Sequence, residues 1–308
     1  AILATQSPDG YIGNYAPDAQ LGGWDVWGRK YTLLGLLAYY DLSGDKKALD
    51  AGSRMVDHLM TQVGPGKQDI VKTGNYRGMP SSSILEPLMF LYDRTKEQKY
   101  LDFANYIVTQ WETPDGPKLI SKALENVSVS ERFPYPKTWW SWENGHKAYE
   151  MMSCYEGLTE LYKETGEPRY LEAVEKSIAN IIAEEITEAG SGSAFECWYG
   201  GRAKQTVPTY HTMETCVTFT WMKLCNTLLT LTGNPMYADQ IEKTTYNALL
   251  AALKDDASQI VKYSPLEGRR TAGEEQCGMH INCCNANGPR AFALKAASWF
   301  TSQPSTLV

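Results

Sequence analysis

Thr165-Gly166-Glu167-Pro168-Arg169-Tyr170-Leu171 reads as the end of one helix and the start of another. The glycine offers a left-handed residue just past a helix C-terminus. The proline fits the first turn of the next helix, where its missing N–H leaves nothing unpaired. Downstream, Leu171, Val174, Ile178, Ile181 and Ile182 recur at helical spacing. The phrase returns as SGDKKAL at 43–49, TKEQKYL at 95–101 and TGNPMYA at 232–238. Each copy joins two apolar periodic segments, so each predicts an αα-hairpin. The uneven starts at 43, 95, 165 and 232 rule out a simple solenoid. With strand signals sparse, the chain is predicted to be all-α, a toroid of paired helices around a central cleft; an irregular helical bundle is the alternative. The long connections at 63–80, 112–147 and 184–213 would line one end of it, where sites on a rigid scaffold usually lie.

The bulk properties agree with a large packed domain. Of 308 residues, 43% are hydrophobic and 21% charged, which suits a folded core better than disorder. A net charge of -7 argues against a general nucleic-acid binder, which needs a basic face for phosphates. No apolar run approaches the roughly 18 residues of a membrane span. Nineteen Tyr and nine Trp against seven Phe mildly favour a wet, amphipathic cleft such as one for carbohydrate. Seven cysteines, an odd number, do not resemble a disulfide framework. The first residues lack a signal-peptide pattern, and both ends read as cuts in a longer protein. Residues 1–308 are therefore expected to be a single domain truncated at both ends.

Three stretches concentrate reactive side chains. One holds Glu196 between Phe195 and Cys197, and one is Glu214-Thr215-Cys216, just ahead of an apolar helix. The third is Cys283-Cys284, set among Asn282, Asn285 and Asn287. Residues two apart diverge within a helix but share a side in extended backbone, so Glu214 and Cys216 can grip one ion at a helix entrance. The adjacent cysteines can do so from a turn, whereas a disulfide between neighbours is badly strained. Three sulfurs and a carboxylate suit tetrahedral zinc. Cys154 and Cys225 instead read as small buried residues, and Glu196 could simply pair with Arg202.

These residues carry a resemblance. Phe195-Glu196, Glu214-Thr215-Cys216, Tyr263-Ser264-Pro265-Leu266-Glu267 and Cys283-Cys284-x-x-Asn287-x-x-Arg290, together with Gly145-His146, resemble glycoside hydrolase family 127, the zinc-thiolate β-L-arabinofuranosidases. The resemblance implies an (α/α)6 barrel followed by β-sandwich domains, with the latter beyond this chain. It implies Glu214, Cys216, Cys283 and Cys284 as Zn2+ ligands, Cys283 as nucleophile and Glu196 as general acid/base. It also implies His146 and Tyr263 as sugar contacts. The expected reaction is a retaining exo-hydrolysis of glycosides derived from plant cell walls. Phe195 and Trp198 would be low-dielectric walls that raise the pKa of Glu196, and Trp139, Trp140 and Trp142 are candidates for stacking on sugar.

The chain also departs from the pattern. Gly28-Arg29-Lys30-Tyr31 and the stretch 78–83 lack histidines that relatives carry for the sugar. Arg29 or Lys30 near the cleft would favour an acidic sugar, such as one from pectin, and an enzyme of the same family acting on an acidic or deoxy pectin sugar is an alternative. Other readings are a non-catalytic carbohydrate-binding barrel with structural zinc, or an α/α-barrel lyase or unsaturated glucuronyl hydrolase, whose chemistry needs no thiolate metal. A glycoside is the expected partner, with a homodimer left open and either periplasm or cytoplasm as the compartment.

Overall fold

The computed structural model describes residues 1–133, 146–207, 211–268 and 282–301, the last of these as backbone alone from 295 onward. Among the described residues there are isolated bridges but no strand. The long helices are α1 (Asp25–Ser43), α2 (Lys46–Gln62), α3 (Leu85–Thr95), α4 (Gln98–Trp111), α5 (Ala148–Thr165), α6 (Pro168–Glu184), α7 (Thr215–Thr232), α8 (Pro235–Thr244) and α9 (Cys283–Thr301).

Every copy of the repeated phrase is a hairpin turn. Gly44, Gly166 and Gly233 adopt φ of 70°, 67° and 68° at the ends of α1, α5 and α7. Lys96 takes the same left-handed place after α3, at φ 55°, without glycine's freedom. Asp45, Glu167 and Asn234 then cap α2, α6 and α8 by accepting the backbone N–H two residues on. The Ser or Thr that opens each phrase has a second use. Ser43, Thr95, Thr165 and Thr232 each donate to the carbonyl four residues back and accept the N–H two residues ahead. One hydroxyl thus closes one helix and leads the chain into the next.

Helices α1, α3, α5, α7 and α9 pack in that order side by side, and α2, α4, α6 and α8 each back their hairpin partner. This is the paired-helix barrel expected from the hairpins. A single apolar core joins all the long helices, with Val174, Ile178 and Ile181 of α6 buried as their spacing requires. Gly157 lets α5 approach α3 closely: a Cβ there would lie 2.8 Å from the backbone N of Glu86. No helix among the described residues is long and apolar enough to cross a membrane.

The first turns of α1, α5, α7 and α9 converge at one end of the barrel. Trp27 of α1 meets the Tyr149 ring of α5 edge-on at 5.1 Å, and Tyr149 accepts a hydrogen bond of 3.1 Å from Asn287 of α9. Glu214, at the N-cap of α7, lies 3.5 Å from the Cys283 sulfur. The long connections reach this mouth at Tyr76, Lys147 and Glu196, which meet there.

Candidate active site

Two side-chain clusters share the mouth. The first is the sulfur-carboxylate set. Glu214 has extended backbone (φ -53°, ψ 135°) and Cys216 follows in the first turn of α7, the arrangement their spacing demands. Cys283 and Cys284 differ from expectation: they open helix α9 rather than sit in a turn. Asn282 caps them, its side chain accepting the Cys284 N–H at 2.9 Å. The Cys216 and Cys284 sulfurs lie 3.3 Å apart. Glu214 Oε1 is 3.5 Å from Cys283 Sγ and 3.7 Å from Cys284 Sγ. All four ligand atoms fall within 4.8 Å of one another.

An ion bound about 2.3 Å from each sulfur needs sulfur-sulfur edges of about 3.8 Å in a tetrahedron, so little adjustment is required. The residues fit a thiolate-bound metal ion. Their protonation points the same way. Burial pushes Glu214, Cys216 and Cys284 up, each well above its ordinary pKa. Cys283, the exposed member, goes the other way: hydrogen bonds from the Cys216 and Cys284 thiols hold it down to about 2. A dication would displace protons from the other three.

The second cluster surrounds Glu196. Lys147, the residue before α5, bonds to its Oε2, while Lys262 reaches Oε1 at 2.8 Å and Tyr263 donates to Oε1 at 3.2 Å. Lys147 also lies 3.6 Å from Glu150 and over the Tyr76 ring at 5.1 Å. Arg202, the partner suggested by sequence, bonds to the Ile182 carbonyl instead. Burial by itself would raise Glu196, but Lys147 and Lys262 together outweigh it and hold the carboxyl below its ordinary value. That reverses the expectation of a raised pKa: Trp198 is buried nearby as foreseen, yet two ammonium groups override its low-dielectric contribution.

The backbone that carries Glu196 is strained. Phe195 and Glu196 are consecutive left-handed residues with φ 46° and 69°, flanked by Ser193 at 75° and Met213 at 52°. Such conformations cost roughly 1–3 kcal/mol each and persist where the surroundings over-determine them. Here they do: Ala148 N–H donates to the Glu196 carbonyl at 2.9 Å, and Phe195 N–H to that of His211 at 2.8 Å. His211 stacks on Phe195 at 4.4 Å and meets Tyr263 edge-on at 4.9 Å. Thr215 N–H donates to the Lys262 carbonyl at 2.9 Å, tying α7 to the connection that follows α8.

Tyr263 therefore touches Glu196 directly. His146 is buried at the same junction, but its Nε2 faces the backbone of Phe133, 3.2 Å from N and 3.0 Å from O. Cys154 and Cys225 are fully buried, as read. Arg29 does not serve the cleft, being buried against Asp25 at 2.6 Å. Lys30 is buried too, its ammonium lying over the rings of Trp27 at 4.7 Å and Tyr31 at 5.4 Å. Lys147 and Lys262 are cations at the mouth that sequence reading missed. Lys147 follows His146 directly and Lys262 precedes Tyr263, so adjacency was the available signal. Trp139, Trp140, Trp142, Gly145, Cys277 and His280 lie outside the described residues.

A family model described as the GH127 catalytic domain of β-L-arabinofuranosidase matches residues 1–296. A curated non-reducing end β-L-arabinofuranosidase of Bifidobacterium longum is 22% identical over 283 residues, covering 83% of this chain and 42% of that protein. A GH127 β-L-arabinofuranosidase structure from Geobacillus stearothermophilus is similar with TM-score 0.70 and 19% identity, over 96% of this chain and 50% of that one. Another GH127 β-arabinofuranosidase structure gives TM-score 0.67 and 20% identity over 96% and 46%. The chain thus spans half or less of the length of these relatives.

Proposed function

Since the chain belongs to the GH127 family of β-L-arabinofuranosidase catalytic domains, we propose that it is a retaining glycoside hydrolase that removes a terminal furanose from plant-derived glycans. The single apolar core around the described helices supports reading 1–308 as one α/α-barrel catalytic domain. The observation that carries the activity is Cys283. It is the exposed thiol of a four-ligand set, and its neighbours hold it as a thiolate.

Zinc, held by Glu214, Cys216, Cys283 and Cys284, would keep all three sulfurs deprotonated at neutral pH. The Cys283 sulfur attacks the anomeric carbon, forming a C–S bond as the C–O bond to the leaving group breaks. Glu196 delivers a proton to the departing oxygen. In the second half Glu196 takes a proton from water, whose oxygen displaces Cys283, giving net retention. The lysine pair readies Glu196 for the second half and opposes the first, so the proton donor is the minor form in the free protein. Tyr263 orients the carboxylate on Oε1, and His146 fixes the chain beside it.

The experiment is metal analysis with activity of Glu196→Gln and Cys283→Ser on an aryl β-L-arabinofuranoside. Both variants are expected to lose at least ~10³-fold in kcat while folding normally. Full activity in both defeats the mechanism. One observation favours a second reading, a carbohydrate-binding barrel with structural metal: Glu196 is already neutralised by two lysines. In that case the wild type binds arabinofuranosides without turnover, and Cys283→Ser binds equally well.

A further inference from the structure

Beside the sulfur cluster, lining the same cavity as Cys283, runs a polar chain that the proposed reaction does not use. Asn287 lies one turn after Cys283 on α9 and is 4% exposed. Its Nδ2 donates to the Tyr149 hydroxyl at 3.1 Å, and its Oδ1 accepts from Arg290 at 2.9 Å. The Tyr149 hydroxyl also bonds to that of Tyr31. The Arg290 guanidinium lies over the rings of Phe219, at 4.4 Å, and Tyr31, at 5.6 Å. These five residues come from α1, α5, α7 and α9. Phe219 is one turn past Cys216, so the chain adjoins both halves of the sulfur cluster.

Tyr149 has a second connection. It lies two residues after Lys147, which grips Glu196, and Ala148 between them donates its N–H to the Glu196 carbonyl. The start of α5 therefore contacts both the acid/base, through Lys147 and Ala148, and the Cys283 helix, through Tyr149. We infer that Tyr149 is a positioning residue: through Asn287 its hydroxyl fixes the first turn of α9, setting the Cys283 sulfur in register with Glu196. This rests on the reading of Cys283 as nucleophile. The Tyr149 ring packs at 88° to Trp27 while its hydroxyl is held by both Asn287 and Tyr31, which suits a spacer between two reacting groups.

Tyr149→Phe removes one oxygen and keeps the ring. With the purified protein loaded with zinc, kcat on the aryl arabinofuranoside is expected to fall about 10–100-fold with KM within about twofold. Zinc stoichiometry should remain that of the wild type. Asn287→Ala should cost a similar factor, and the double variant no more than the larger single loss, because both break the same link. A second measurement does not depend on turnover. Alkylation of the exposed Cys283 by iodoacetamide, followed by intact mass, should speed up about threefold or more in each variant as the first turn of α9 loosens. Additive losses in the double variant, or an unchanged alkylation rate, overturn the inference. A wild type that alkylates as expected in this series but hydrolyses nothing defeats the proposed function and leaves the positioning intact.

Discussion

At the mouth, Glu214, Cys216, Cys283 and Cys284 crowd acids against acids; about two turns further along α7, Lys223 sits between Glu86 and Glu156. Both clusters are ionisable and largely buried, and both draw on several inner helices. The interior one balances its charges. Glu86 bonds to Lys223 and Glu156 lies 3.0 Å from it, while Lys30 is fully buried alongside. Lys223 is raised despite its burial, by Glu156 and Glu86. Burial lowers Lys30 and raises Glu156, each in the direction of its neutral form. The mouth does the reverse, keeping like groups together and one thiol exposed. A balanced buried cluster holds helices in register; an unbalanced one needs a guest to complete it.

The largest effect that would break this contrast is on stability. Lys223→Met strands two buried carboxylates and should destabilise the fold by about 3–5 kcal/mol, measured by urea unfolding. Adding Glu156→Gln should recover part of that loss. A loss below 1 kcal/mol would mean that the interior cluster is not a structural tie. Next comes the metal. Cys216→Ala should weaken metal binding at least ~100-fold, followed by competition with a chelator, yet leave unfolding of the metal-free protein little changed. Equal metal affinity in the variant would remove the idea that the mouth is built for a guest.

The smallest effect sharpens the role of the lysines. Lys147 lowers Glu196, so Lys147→Met should raise its pKa. The basic limb of the pH–rate profile, where the proton donor is lost, should then move to higher pH. At pH 7 the gain is a few-fold, up to ~10-fold. A limb that stays in place, or moves down, shows that Lys147 does not govern the proton of Glu196.

The fold was legible because its signals are local. Gly166 with Pro168, and Gly233 with Pro235, announce a left-handed stop and a first-turn start within four residues. The Glu214–Cys216 spacing was legible for the same reason, since extended backbone at a helix entrance is a local property. Lys147 and Lys262 were not. They meet at Glu196 only because α5 and the connection after α8 arrive together, and the one local mark is that each adjoins a candidate sugar contact, His146 or Tyr263. The inversion of the Glu196 pKa follows from the same blind spot: the tryptophan was adjacent in sequence and the lysines were not. Arg29 failed as a cleft cation because Asp25, one helical turn earlier, captures it.

The convergence of helix starts at the mouth has one more consequence. Each N-terminus contributes about half a positive charge from peptide dipoles, and those of α7 and α9 begin at the sulfur-carboxylate set itself. That field does not titrate, and no side-chain substitution removes it. It favours anions at the mouth at every pH at which the barrel is folded, before any lysine or metal ion acts. The barrel itself is therefore a standing electrostatic reagent, and Cys283 is the residue placed where that field meets solvent.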